Sequence, residues 1–141
     1  MAAGLKLEIT TPTGPVYAKD VDMVTLPGQE GEMGILPMHV PLITLLGDGE
    51  IIARRGNEED RLLVTGGCAE ITANRVAILT VFATDVKAID EQKAEEARAR
   101  AEERLKEKIL PEEVALIQAS LTHSLAQLKF KRHGHHHHHH H

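Results

Sequence analysis

The chain changes its residue period near Thr84 to Lys87, and this change limits it to folds in which a β unit precedes a helical one. Before the change, Leu5, Leu7 and Ile9 alternate with Lys6, Glu8 and Thr10. A period of two sends one face of a strand into a core and the other to solvent. Thr13-Gly14-Pro15 supplies a turn. Further β-rich runs follow at Val16 to Ala18, Val21 to Leu26, Met33 to Leu36, Leu42 to Leu46, Glu50 to Arg54, Arg61 to Thr65, Cys68 to Thr72 and Val76 to Phe82. Pro27-Gly28, Gly47-Asp48-Gly49, Arg55-Gly56-Asn57, Gly66-Gly67 and Ala73-Asn74 punctuate them. No helix-period segment lies between the runs to carry a parallel crossover, so residues 1–86 are predicted to form an antiparallel β-sandwich or barrel, of which the sandwich is taken as the fold class.

After Asp85 the composition turns to Ala, Glu, Lys and Arg, all strong helix formers, and predicts a helix over Ile89 to Lys108. Asp90 is a candidate N-cap, and Glu96 with Arg100 and Glu102 with Lys106 are pairs four apart in the favourable order. Ile109-Leu110-Pro111 ends this helix. Pro111-Glu112-Glu113 opens a second one, with proline at its first position and carboxylates at its positive end, and it is expected to run to about Lys131. Val114, Ile117, Leu121, Leu125 and Leu128 form an aliphatic stripe on the second helix. Ala94, Ala97, Ala101 and Leu105 form a narrow stripe on the first. Small residues facing large ones predict an antiparallel two-helix hairpin over residues 87–133. Helices of this length are marginal alone, so their stripes must be covered by the sandwich or by a partner.

His135 to His141 is an unbroken histidine run after Gly134, and residues 134–141 read as a linker and purification tag. The formal net charge of −5 argues against a nucleic-acid surface. No apolar run approaches the roughly 20 residues that span a bilayer. The first residues lack the apolar core of a signal peptide. Cys68 is the single cysteine, set in an apolar run, and reads as a small buried hydrophobe.

Candidate chemistry is sparse. No spacing places Ser or Cys beside His and an acid, and no paired-Cys or H-E-x-x-H metal pattern occurs, so neither a catalytic nor a metal site is assigned. The glycines of Gly28-Gln29-Glu30-Gly31-Glu32-Met33-Gly34 lack the Lys-Ser or Lys-Thr and the helix of a phosphate loop, and two carboxylates there would repel phosphate. They are assigned to turns and bulges. His39 stands between Pro37 and Pro41 in a stiff extended loop, as a surface residue or a protein contact. Asp20 and Asp22 are assigned to a solvated turn.

Gly31-Glu32-Met33-Gly34-Ile35-Leu36-Pro37-Met38-His39-Val40-Pro41-Leu42 resembles a signature segment of the epsilon subunits of bacterial F-type ATP synthases. Val64-Thr65-Gly66-Gly67-Cys68-Ala69-Glu70-Ile71 is similar to that family's second marker, a double glycine between two strands. Leu7-Glu8-Ile9-Thr10-Thr11-Pro12 and Val16-Tyr17 also match. The resemblance covers the chain up to the histidine run. It implies a non-enzymatic subunit of the central stalk, peripheral on the cytoplasmic face of the plasma membrane and attached to the membrane only through the complex. The sandwich would bind the gamma subunit and rest on the c-ring, with Glu32, Met33 and His39 on the ring-facing loop. The hairpin stripe of Val114, Ile117, Leu121, Leu125 and Leu128 would pack on the sandwich or along gamma. The extended hairpin would reach the alpha and beta subunits and inhibit hydrolysis.

Some members of that family hold ATP with an Ile-Asp-x-x-Arg-Ala motif. Here it reads Ile89-Asp90-Glu91-Gln92-Lys93-Ala94, with Arg100 as a further cation, and His123 and Gln127 stand at arginine positions of the second helix. Lys lacks the planar fork of Arg, so the resemblance implies weak ATP binding at most. A nucleotide-sensing module, whose hairpin responds to ATP, is the alternative reading. A free-standing β-sandwich adaptor is a third.

Overall fold

A computed structural model describes residues 4–139, with side chains through Arg132. The chain divides into two compact units, residues 1–86 and 87–141. In the first, strands β1 (Leu5–Thr11), β2 (Gly14–Val21), β3 (Met23–Gly28), β4 (Gly31–Ile35), β5 (Leu42–Leu45), β6 (Gly49–Arg55), β7 (Glu58–Thr65), β8 (Cys68–Ile71), β9 (Arg75–Leu79) and β10 (Phe82–Asp85) form two sheets. Their orders are β2-β1-β9-β8-β5 and β10-β7-β6-β3-β4.

The alternation of β1 becomes the core directly. Leu5, Leu7 and Ile9 are fully buried, joined by Val24, Leu26, Ile35 and Ile51 from the facing sheet. Pairing is antiparallel throughout except between β1 and β9, which run parallel with Leu7 opposite Val76 and Ile9 opposite Ile78. No crossover helix is needed, because the intervening chain builds the other strands.

Several boundaries differ from those expected: Val21 closes β2, and β4 and β7 open earlier, at Gly31 and Glu58. The run Val76 to Phe82 is not one strand, because the chain leaves one sheet after Leu79 and enters the other at Phe82. Buried Thr80 fixes this corner, its hydroxyl lying 2.7 Å from the Gly66 carbonyl oxygen and 3.1 Å from that of Thr65. Pro27-Gly28 does not end β3 early. The β3–β6 ladder stops at Thr25, so Pro27 is not required to donate on that side. Asp22, in the bend between β2 and β3, accepts the Gly56 N–H at 2.7 Å and so ties the bend to the β6–β7 turn.

The second unit opens with a 3₁₀ turn, Val86–Ala88, followed by α1 (Glu91–Leu105) and α2 (Pro111–His139). The Asp90 carboxylate caps α1 by accepting from Gln92 N at 3.0 Å and Lys93 N at 3.3 Å. The helices are antiparallel neighbours. Arg104 near the end of α1 meets Glu113 near the start of α2 at 3.0 Å, and Arg132 approaches Glu91 and Glu95 at the other end. Along α1 Arg98 pairs with Glu95 and Glu102, Lys106 with Glu103, and Arg104 with Glu107, in place of the expected Glu96–Arg100 and Glu102–Lys106. α2 continues past Lys131 to His139, where no proline stops it. The histidine side chains of the expected tag lie outside the described residues.

Candidate interaction surfaces and nucleotide positions

Glu32 and Met33 lie in a strand rather than in the loop expected for them. Gly28 pairs with Gly31, leaving Gln29 and Glu30 as a two-residue hairpin turn. A Cβ at Gly28 would stand 2.7 Å from the Gly31 carbonyl oxygen, and Gly31 has φ +134°. Both glycines therefore serve the tightness of the turn. In β4 the side chains alternate. Ile35 is fully buried and Met33 packs half-buried on the core, while Glu32 points to solvent beside Pro27. β4 is an edge strand, so Glu32 belongs to an open flank of the sandwich.

His39 lies in the connection from β4 to β5 and is half-buried, with Nδ1 2.7 Å from the Val40 carbonyl oxygen. Its neighbours are the more prominent surface. Leu36, Met38 and Val40 are 56%, 76% and 74% exposed, followed by Ile43 at 73% and Leu45 at 59%. Met38 adopts φ +69°, unusual for a residue with a side chain, and its N–H donates to the Ala73 carbonyl at 2.6 Å. The apolar rim is thus held in place by backbone contacts. Reading from His39 alone missed it; the signal was the four apolar residues set between and beside Pro37 and Pro41.

Two concavities adjoin the rim. A groove of about 500 Å³ runs between Gly28–Met33 and Ile43–Leu45 and carries Glu30 and Glu32. A cleft of about 560 Å³, almost wholly apolar, is lined by Thr10, Pro12, Leu45, Cys68, Leu79 and Val81 among others. Leu45 lines both, so they form one continuous surface. Cys68 is half-buried in the cleft rather than closed in the core. Gly67 lines the cleft, where it lies against the Leu79 backbone.

On the hairpin, Leu128 is buried and Val114, Ile117 and Leu121 are half-buried, but Leu125 is 46% exposed. Buried Ser124 takes the position expected for Leu125, because the spacing Val114, Ile117, Leu121, Ser124, Leu128 keeps steps of three and four around the helix. Among the nucleotide candidates, Ile89 and Ala94 are buried and the Asp90 carboxylate serves the helix cap. Of the five, Lys93 and Arg100 are the exposed cations, and Asp90 is exposed as well but negative. His123 is buried and Gln127 half-buried. Among the described residues, no group of three or more His, Cys, Asp or Glu is placed to hold a metal, and no helix is long and apolar enough to cross a membrane.

Residues 4–86 match the family model described as ATP synthase, Delta/Epsilon chain, beta-sandwich domain, and residues 87–131 that described as ATP synthase, Delta/Epsilon chain, long alpha-helix domain. The ATP synthase epsilon chain of Dehalococcoides mccartyi is 43% identical over 136 residues, covering 94% of this chain and 97% of the relative. That of Syntrophobacter fumaroxidans is 42% identical over 129 residues, covering 92% and 96%. Among solved structures, a chain of the Euglena gracilis mitochondrial ATP synthase, in an OSCP/F1/c-ring assembly, superposes with TM-score 0.61 at 26% identity, covering 88% of this chain and 78% of its own. A chain of the Tetrahymena thermophila mitochondrial ATP synthase central stalk and c-ring shares the fold at TM-score 0.50 and 20% identity, covering 60% and 69%.

Proposed function

The chain belongs to the ATP synthase delta/epsilon family, and from that premise we propose that it works as a non-catalytic rotor subunit in the central stalk of a bacterial F-type ATP synthase, coupling proton flow to ATP synthesis. In this reading the sandwich binds the gamma subunit and the c-ring, and the complex sits on the cytoplasmic face of the plasma membrane. The observation that carries the proposal is the exposed rim of Leu36, Met38, Val40, Ile43 and Leu45, continuous with the acidic groove and the apolar cleft. An apolar patch of this kind on a soluble unit marks a surface that a partner covers. Glu32 and His39 flank it and supply polar contacts to the loops of the ring, while Met33 supports the strand from within.

The hairpin is the regulatory part. In an extended state it reaches along gamma to the alpha and beta subunits and inhibits hydrolysis. ATP binds it weakly, because only Lys93 and Arg100 of the family positions offer exposed positive charge. The test is co-purification of full-length chain with gamma and the c-ring. Met38→Asp with Val40→Asp should abolish recovery of the complex while leaving the chain folded, because a charge buried at an interface without a partner is costly. Undiminished recovery would remove the rim from the interface.

A further inference from the structure

Strand β2 is an edge strand with only two buried residues, Tyr17 and Val21. Its ladder to β1 is irregular between Ile9 and Thr10. Such an edge is prone to open locally. Yet Tyr17 does not end on its own sheet. Its hydroxyl donates to Asp60 Oδ2 at 2.7 Å, and Asp60 is on β7 of the facing sheet. Asp60 is buried and has two further partners, Arg55 Nη2 from β6 at 3.3 Å and Lys19 Nζ from β2 at 3.7 Å. Lys19 also lies 5.4 Å from the centre of the Tyr17 ring, and Glu58 holds Arg55 from outside at 3.0 Å. The Arg55 Nε–H is buried without an acceptor among the described residues.

We propose that Tyr17, Asp60 and Arg55 form a latch that fastens the detachable edge strand β2 to the opposite sheet, and that loss of the Asp60 charge releases β2 as a unit. The apolar core joins the sheets without direction, whereas these bonds fix β2 to one point on the facing sheet. Two polar side chains of β2 converge on one carboxylate, so a single group governs the polar tie of β2 to the facing sheet, while the ladder to β1 holds its other flank. A network with one group already unsatisfied has little redundancy, and removing the Asp60 charge weakens the acceptor of the Tyr17 hydroxyl and leaves Arg55 only the outer carboxylate of Glu58. With β2 released, β1 becomes an open strand edge able to pair with another chain.

The experiment is amide-resolved hydrogen exchange on the full chain, comparing the parent with Asp60→Asn and Tyr17→Phe. Removing one partner of a buried charged hydrogen bond should raise exchange of β2 amides roughly 10- to 100-fold in Asp60→Asn. Amides between β8 and β9 should keep their rates. Tyr17→Phe should act in the same direction and confine its effect to β2 and the facing edge of β1. Equal acceleration in every strand, or none in β2, would overturn the latch. Tyr17 is the one tyrosine and the chain has no tryptophan, so its ultraviolet titration gives a second readout. Burial first, and Asp60 second, hold its ionisation above the ordinary value. Asp60→Asn should move the titration down, and an unmoved titration would refute the pairing. If Asp60→Asn does not fold, the exchange pattern of Tyr17→Phe decides alone.

Discussion

Gly67 touches the backbone of Leu79 so closely that a Cβ built on it would lie 2.1 Å from the Leu79 carbonyl oxygen and 2.9 Å from the Thr80 Cα. This contact seats the turn between β7 and β8 against the corner where the chain passes from one sheet to the other. Gly67→Ala should therefore destabilise the sandwich by about 2–4 kcal/mol, combining steric displacement with strain at φ +120°. Gly66 also has positive φ, but the nearest atom to its Cβ position is 4.0 Å away. Gly66→Ala should cost only about 1 kcal/mol, the backbone term alone. Urea unfolding followed through Tyr17 checks both, and equal losses would reject the close-approach argument.

The latch also makes the stability of the sandwich depend on pH at both ends. The Tyr17 hydroxyl, helped by Lys19 and Arg55, holds the Asp60 carboxyl below the usual carboxylate range. Its contribution is fully present above the unfolded value of about 4 and is lost as pH falls through the lower folded value. Tyr17 shifts the opposite way, so its contribution is present below about 10 and is lost as pH rises beyond that. Asp60→Asn should lower stability by about 1–3 kcal/mol at neutral pH, with the gap to the parent closing in acid. A gap that stays constant from pH 7 to pH 3 would show that Asp60 does not titrate as described.

These features differ in how far the sequence exposes them. The alternation of Leu5, Leu7 and Ile9 is local, and it appears unchanged as the floor of the core. The split of Val76 to Phe82 is not local. Thr80 looks like one more β former, and its role is set by carbonyls of Thr65 and Gly66 that arrive from another turn. Gly28 and Gly31 are legible as turn glycines; that their turn has only two residues, and so leaves Glu32 in a strand instead of the expected loop, is not. On α2, steps of three and four admit either Leu125 or Ser124 at one level, and only the packing selects Ser124. Tyr17 and Asp60 stand 43 residues apart with no shared period, so nothing in the sequence links them.

Weak nucleotide binding, at most, is the expected outcome for the hairpin. Asp90 is engaged by the backbone of Gln92 and Lys93, and Ile89 and Ala94 are buried. A triphosphate would meet the exposed Lys93 and Arg100, with no bidentate fork at the motif position. Calorimetry with ATP and magnesium should give a dissociation constant of about 1 mM or weaker, corresponding to roughly −4 kcal/mol or less. Lys93→Arg should tighten binding. A micromolar constant for the parent would favour the nucleotide-sensing alternative.

If the hairpin regulates and the sandwich couples, the two functions should separate at the junction of the units, Val86 and Lys87. The sandwich core is built entirely from residues before this point, so a chain ending at Val86 should fold. Assembled into the synthase, it should sustain ATP synthesis while hydrolysis at low ATP rises above that of the full-length complex. Single substitutions should grade the same effect according to burial. Leu128→Asp places a carboxylate where 2% of the residue is exposed and should unsettle the hairpin most, by about 3 kcal/mol or more. Leu121→Asp, half-buried, should follow. Leu125→Asp, at 46% exposure, should leave the isolated hairpin helical. Circular dichroism ranks the three in the free chain, and hydrolysis rates rank them in the complex. If Leu125→Asp relieves inhibition without disturbing the free hairpin, Leu125 meets a partner in the inhibited state. If truncation leaves hydrolysis unchanged, the hairpin is not the inhibitory element. If it abolishes coupled synthesis, the division of labour between the units is wrong.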